Sequence, residues 1–305
     1  MVFLTGDVGP ADAVLGSGHT TQTRWERTEV GLHIISEVLD SLQDQYSIEM
    51  PVTWLVRADR LIDEQFGDCL AIFEKFSSFL QKAARDGHEI GWLPQVYGGR
   101  GGTEVNYDDL LLTHAALTKA ALRPKTVRMG NCFHDNFTMK ILNDLGIEID
   151  SSAVPNRIKD DGGWRMDWQG TKAHAYRPSL ADYRLPGVPH LDILEVPLTV
   201  RPIKAPYDLV PLLRYLNPCM HRAYFWQNLR DTLMQSPYVV LIFHPDEAAA
   251  SRNTPGHPLV AYSREEFASN LQRLMLHSLR KGRSIRFCRL RDFPRTLQNQ
   301  LLSAS

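Results

Sequence analysis

The apolar run Tyr238-Val-Val-Leu-Ile-Phe243, which stops at His244, constrains the fold more than any other stretch of the chain. Six such residues without alternation read as a strand covered on both faces, the pattern of a parallel sheet. The same grammar recurs from the first residues onward. Val2-Phe-Leu-Thr5 ends in the turn-rich Gly6-Asp-Val-Gly-Pro10, and Val30, Ile34, Ile35, Val38, Leu39 and Leu42 then repeat at helical spacing between Glu26 and Gln45. Val52-Thr-Trp-Leu-Val56 precedes a helix over about 69–85, and Glu89-Ile-Gly91 precedes a glycine-rich loop and a helix over about 107–121. Short strands are expected at Thr126-Val-Arg128, at Ile147 to Ser151 and at Leu194-Glu-Val-Pro-Leu198. Between the first two, a helix ends near Gly146. A helix over about 219–235 leads into the apolar run. Ser263-Arg-Glu-Glu266 then has the form of a capping box opening a last helix, and Ile285-Arg-Phe-Cys288 could close the series.

About seven or eight strands alternating with helices imply a mostly parallel sheet, as a barrel or a doubly wound layer. Residues 155–190, rich in Gly, Pro, Trp, Tyr and Asp without clear periodicity, form a long excursion within one domain spanning 1–305. In either architecture ligands bind at the carboxyl ends of the strands, so the residues that follow the strands carry the functional question.

Composition excludes several classes. With 34 Lys+Arg against 35 Asp+Glu there is no global field to draw nucleic acid or an anionic surface, and a charged partner must be read locally. No apolar stretch is long enough to span a bilayer, and no secretory leader pattern opens the chain, so a cytoplasmic location is expected. Cys69, Cys132, Cys219 and Cys288 have no CxxC or zinc-like spacing and read as buried free thiols.

Thr5-Gly-Asp-Val-Gly-Pro10, Asp86-Gly-His-Glu-Ile-Gly-Trp-Leu-Pro-Gln-Val-Tyr97 and Leu241-Ile-Phe-His244 together, in this order, resemble the NodB-like polysaccharide deacetylases. The resemblance is closer to a branch associated with lipopolysaccharide and O-antigen gene clusters, through Phe133-His-Asp-Asn136, Tyr176-Arg-Pro-Ser179 and Phe243-His-Pro-Asp-Glu247. It covers about residues 1–250. It implies a single distorted (β/α) barrel of about seven parallel strands and the removal of an acyl group from a sugar. Asp7 matches the family's catalytic base and His244 its acid, and Arg128 stands where the family has an arginine that orients the base.

The resemblance also implies a divalent metal, and there the residues depart from it. The second aspartate of the first motif is Val8, and the histidine positions fall on Leu93 and on Gln95 or Tyr97. Valine and leucine cannot ligate, and an amide oxygen alone does not hold zinc. No metal or other cofactor is therefore expected.

Around this pair, Trp92, Tyr97, Trp164, Trp168, Tyr176 and Tyr183 could stack on a sugar or simply pack. Arg177 and Arg184 could bind a carboxylate or phosphate of a substrate or be solvated. His134 could touch substrate, while Asp135-Asn136 has the form of a helix N-cap. His88 reads as a structural hydrogen-bonding residue, and Glu247 is a candidate substrate contact.

Three functions fit. The first is a hydrolase that deacylates an amino sugar, presented as a sugar, nucleotide sugar or oligosaccharide, in bacterial surface-polysaccharide assembly. The second is a degenerate member that binds a carbohydrate or a partner without chemistry. The third is a different hydrolase on the same barrel, with Asp7 and Glu247 as paired carboxylates. The sequence does not specify the oligomeric state.

Overall fold

The computed structural model describes residues 1–10, 21–96, 105–160, 165–249, 257–282 and 284–293. Its strands are β1 (Val2–Val8), β2 (Val52–Arg57), β3 (Glu89–Leu93), β4 (Thr126–Val127), β5 (Ile149–Asp150), β6 (Ile158–Asp160), β7 (Arg165–Asp167), β8 (Leu194–Glu195), β9 (Val200–Ile203), β10 (Leu212–Tyr215) and β11 (Val239–Phe243). Its helices are α1 (Thr21–Tyr46), α2 (Arg60–Phe66), α3 (Ala71–Lys75), α4 (Ser77–Arg85), α5 (Asp108–Lys119), α6 (Asn136–Asp144), α7 (Arg222–Gln235) and α8 (Arg264–Arg280). The described residues form two compact units built from separated segments, Met1–Val52 with Thr199–Cys288, and Thr53–Leu198 with the segment from Arg289.

In the first unit β1 and β11 pair in parallel from Val2↔Val239 to Gly6↔Phe243. Every residue of both strands is buried, as the unbroken apolar run requires. Phe3 meets Tyr238, and Phe243 meets Phe267 of α8, edge to face at 6.0 and 5.5 Å between centroids. The Ser263 hydroxyl accepts the Glu266 N–H at 3.3 Å, which starts α8 where the capping signal stands. The expected strand at 285–288 is reduced to a bridge between Phe287 and Val2. An antiparallel hairpin of β9 and β10, not anticipated from sequence, joins this unit. Pro202 breaks the alternation that would have marked its first strand.

In the second unit five parallel strands follow the order β2-β3-β4-β5-β8. With β1 and β11 the parallel strands number seven, as expected. Much of the Gly-His-Glu-Ile-Gly signature serves this sheet. A Cβ on Gly91 would lie 2.8 Å from the Thr126 carbonyl oxygen, so only glycine lets β4 approach. The buried Glu89 carboxylate accepts from the hydroxyls of Thr53 and Thr126, at 2.8 and 2.5 Å, and from the Arg291 N–H at 3.2 Å. Burial raises its pKa against those hydrogen bonds. His88 packs on Trp54.

The expected helix over 69–85 divides into α3 and α4 at Phe76, and α2 precedes it, capped by Asp59, whose carboxylate accepts the Ile62 N–H. The excursion contains the small antiparallel pair β6–β7. Cys132, Cys219 and Cys288 are buried free thiols, and Cys69 is free and half-buried. Among the described residues no helix is long and apolar enough to cross a membrane.

Candidate active site

Asp7 and His244 follow directly on the last paired residues of their strands, Gly6 and Phe243. His244 keeps extended backbone, with φ −108° and ψ 139°, so the parallel register carries through and strand alternation sends both side chains to one face. The Thr5 hydroxyl donates to the Leu241 carbonyl at 2.8 Å and ties the two strands just before this point. Asp7 is buried, whereas the His244 side chain keeps 40% of its surface exposed. The carboxyl end of the pair therefore offers a sheltered carboxylate beside an imidazole open to a ligand.

His244 is held by its own loop. It opens a 3-10 turn at Pro245–Ala248, and the Glu247 carboxylate reaches back to accept the His244 backbone N–H at 2.8 Å while its Oε2 lies 3.5 Å from Nδ1. Asn217, 1% exposed, donates to the same Glu247 oxygen at 2.7 Å and fixes it from behind. Burial opposes charge on the imidazole, but Glu247 first and then Asp7 and Asp246 outweigh it, and the pKa rises to about 9. Burial likewise works against ionised Glu247, and His244 with the surrounding hydrogen bonds prevails and lowers its pKa. At neutral pH this is a carboxylate–imidazolium pair with Nε2 of the ring as a proton donor.

Helix α1 packs against this turn at Gly31. A Cβ there would stand 1.9 Å from the Pro245 carbonyl oxygen, so the contact is reserved for glycine. Arg27 of the same helix faces Asp246 at 3.7 Å and lies over the Tyr262 ring at 5.9 Å. Cys219, buried near Glu247 and Asp246, has its thiol pKa pushed well up, by burial above all, and is no nucleophile.

Of the positions where the resemblance implies metal ligands, the three that are described carry no imidazole or carboxylate. Val8 is fully buried and apolar, Leu93 is buried and apolar, and the Gln95 amide oxygen accepts from the Arg57 guanidinium. Tyr97 and Trp164 lie outside the described residues. Among the described residues no group of three or more His, Cys, Asp or Glu side chains could hold a metal ion.

The remaining candidates lie in the second unit and are mostly interior. Arg128, 1% exposed, donates through Nε to the Ser151 carbonyl at 2.7 Å and through Nη2 to the Ser151 hydroxyl at 3.2 Å. His134 Nε2 stands 2.7 Å from Asp150 Oδ2, with both side chains fully buried, and its ring stacks on Tyr183 and meets Trp168 edge to face. Asp135 caps α6 by accepting the Thr138 N–H at 2.7 Å. Trp92 is enclosed, its indole donating to the Ala58 carbonyl at 2.9 Å. Tyr176 is also enclosed and donates to the Tyr183 carbonyl at 3.0 Å. Trp168 donates to the Cys132 carbonyl, so these aromatics present no face to solvent. Arg177 donates to the Asp192 carbonyl, and Arg184 pairs with Asp182 and Asp167 at 2.9 and 3.2 Å.

Two features escaped sequence reading. Asn217 follows no motif, and its partner lies 30 residues away. Asp150 and Glu195 end adjacent strands in direct register, which brings two carboxyls together in the interior. Burial and then Asp150 raise the Glu195 pKa well above normal. Burial pushes the Asp150 carboxyl up as well, but His134, then Glu195 and Ser152, outweigh it and lower its pKa.

No family model matches the chain, and no curated protein matches it. Among solved structures it is similar to a candidate polysaccharide deacetylase from Mycobacterium smegmatis, with 18% identity over 93% of this chain and 92% of that one at a TM-score of 0.50. A second, from Bordetella bronchiseptica and described as involved in O-antigen biosynthesis, aligns at 16% identity over 80% and 71% of the two chains with a TM-score of 0.36. The first likeness shows a shared fold.

Proposed function

We propose that the protein is a cytoplasmic polysaccharide deacetylase-like hydrolase that removes an acyl group from an amino sugar of bacterial surface polysaccharide, of the O-antigen or lipopolysaccharide kind. The observation that carries the reading is the register that sets Asp7 and His244 directly after Gly6 and Phe243, with the His244 pKa raised to about 9. Asp7 takes the proton of a water that attacks the acyl carbonyl, and His244 Nε2 delivers its proton to the departing nitrogen or oxygen as the acyl bond breaks. Glu247, bonded to His244 and to Asn217, keeps the imidazole charged for that delivery. The fold shared with the mycobacterial protein and the order of the motifs are consistent with the reading.

The test is acetate release from N- and O-acetylated amino sugars offered free, nucleotide-linked and as oligosaccharides. Release by the wild type from at least one of them supports the hydrolase. Val8 and Leu93 favour a second reading, a carbohydrate-binding member without chemistry. Calorimetric binding of these sugars by folded protein, with no acetate release from any, would establish that reading and end the first.

A further inference from the structure

The turn between β9 and β10 exposes a run of apolar side chains that the fold does not use. Tyr207 is 60% exposed, Leu209 94%, Val210 61% and Leu212 43%. Three of these residues lie on the turn and Leu212 opens β10, a density of exposed large apolar groups that a soluble surface normally avoids. The polar groups of the turn are closed in on themselves. Asp208, its one acid, is held by both arms of Arg214 at 2.7 and 3.1 Å and accepts the Ala205 N–H at 2.6 Å, while its own N–H donates to the Ala205 carbonyl at 3.0 Å. Pro206 and Pro211 flank the apolar residues and carry no N–H. An acid already neutralised by Arg214 costs little to bring near an apolar medium.

Charge indicates which medium. The hairpin from Val200 to Tyr215 holds Arg201, Lys204 and Arg214 against Asp208 alone, and Lys204 is exposed beside the apolar tip. An apolar tip beside an exposed lysine, on a hairpin with more basic than acidic residues, complements anionic headgroups over acyl chains. The tip is also tied to the candidate site. The Tyr207 hydroxyl is hydrogen-bonded to His257 Nε2 at 2.8 Å, and the Glu247 carboxylate acts on the charge of His257.

We propose that the β9–β10 turn inserts into the interface of an anionic lipid membrane, with Leu209 and Val210 among the acyl chains and Lys204 at the headgroups. Resting on the hydrolase reading above, this places the substrate at a lipid surface, its sugar presented beside His244.

Co-sedimentation tests the insertion independently of catalysis. The full chain is mixed with vesicles of phosphatidylcholine alone and of about three parts phosphatidylcholine to one of phosphatidylglycerol. The wild type is expected to pellet with the anionic vesicles, and Leu209→Asp with Val210→Asp to lower the partition constant at least about tenfold. Leu112→Asp, at an exposed apolar site on α5, is expected to pellet like the wild type. Wild type that stays in the supernatant with both vesicles, or tip variants that pellet equally, overturns the proposal. So does a wild-type dimer by light scattering that the tip variants convert to monomer, since a second copy would then cover the patch. Acetate release from a soluble sugar by the tip variants reports on the hydrolase reading alone, so the two ideas fail separately.

Discussion

Glu247 binds His244 twice, at the backbone N–H at 2.8 Å and beside Nδ1 at 3.5 Å, and so a single carboxylate sets both the position and the charge of the imidazole. Replacement by glutamine keeps the shape and removes the negative charge. In a hydrolase that uses His244 as acid, the alkaline limb of kcat against pH reports this ring, and it should lie near 9 in the wild type. Glu247→Gln is expected to move that limb down by about one unit or more, because the leading cause of the raised pKa is gone. An unmoved limb would mean that some other group is the acid.

The same shift couples to stability. The folded pKa of His244 lies above its unfolded value, so the stabilisation is fully present below about 6.5 and is lost as pH rises through about 9. Denaturant titrations of wild type and His244→Ala at pH 6 and pH 10 should therefore differ more at the lower pH. A difference that grows with pH would reverse the assigned sign.

Gly31 is the packing counterpart of this electrostatic arrangement. Gly31→Ala drives a methyl into the Pro245 carbonyl, and the turn that carries Glu247 must shift. A loss of about 1–3 kcal/mol by chemical denaturation is expected, together with a fall in kcat larger than any change in KM. Unchanged stability would show that α1 can yield without disturbing the turn.

The interior pair of the second unit predicts an asymmetry. Asp150→Asn strips His134 of its carboxylate at 2.7 Å and should cost about 3–5 kcal/mol. Glu195→Gln replaces a carboxyl whose pKa burial and Asp150 push well above normal, and a change within about 1 kcal/mol is expected. Equal costs would mean that the fold disfavours the charge of Glu195 no more than that of Asp150.

How far this was legible in the sequence depended on distance along the chain. The run 238–243 announced a doubly covered strand because burial on both faces removes the need for alternation, and Asp7 and His244 were singled out because a parallel sheet presents ligands to the residues after such strands. Glu247 lies three residues from His244 and could be suspected. Asn217 could not, since nothing local distinguishes an asparagine that anchors a carboxylate 30 residues on. Asp150 and Glu195 were invisible for a related reason, because register between strands fixes their meeting. The β9–β10 hairpin was missed where Pro202 interrupts the alternation that reveals a half-buried strand. Trp92 and Tyr176 show the converse limit, since a loop or strand-end aromatic reads alike whether its ring is open to a sugar or enclosed.

The most direct test is acetate release after exhaustive chelation, with the metal content verified by mass spectrometry, for wild type and Asp7→Asn on the best acylated amino sugar. Chemistry carried by Asp7 and His244 predicts that the chelated wild type keeps its rate and that Asp7→Asn lowers kcat by about 10²–10⁴. Activity that vanishes on chelation and returns with zinc, or an Asp7→Asn enzyme as fast as the wild type, would contradict it.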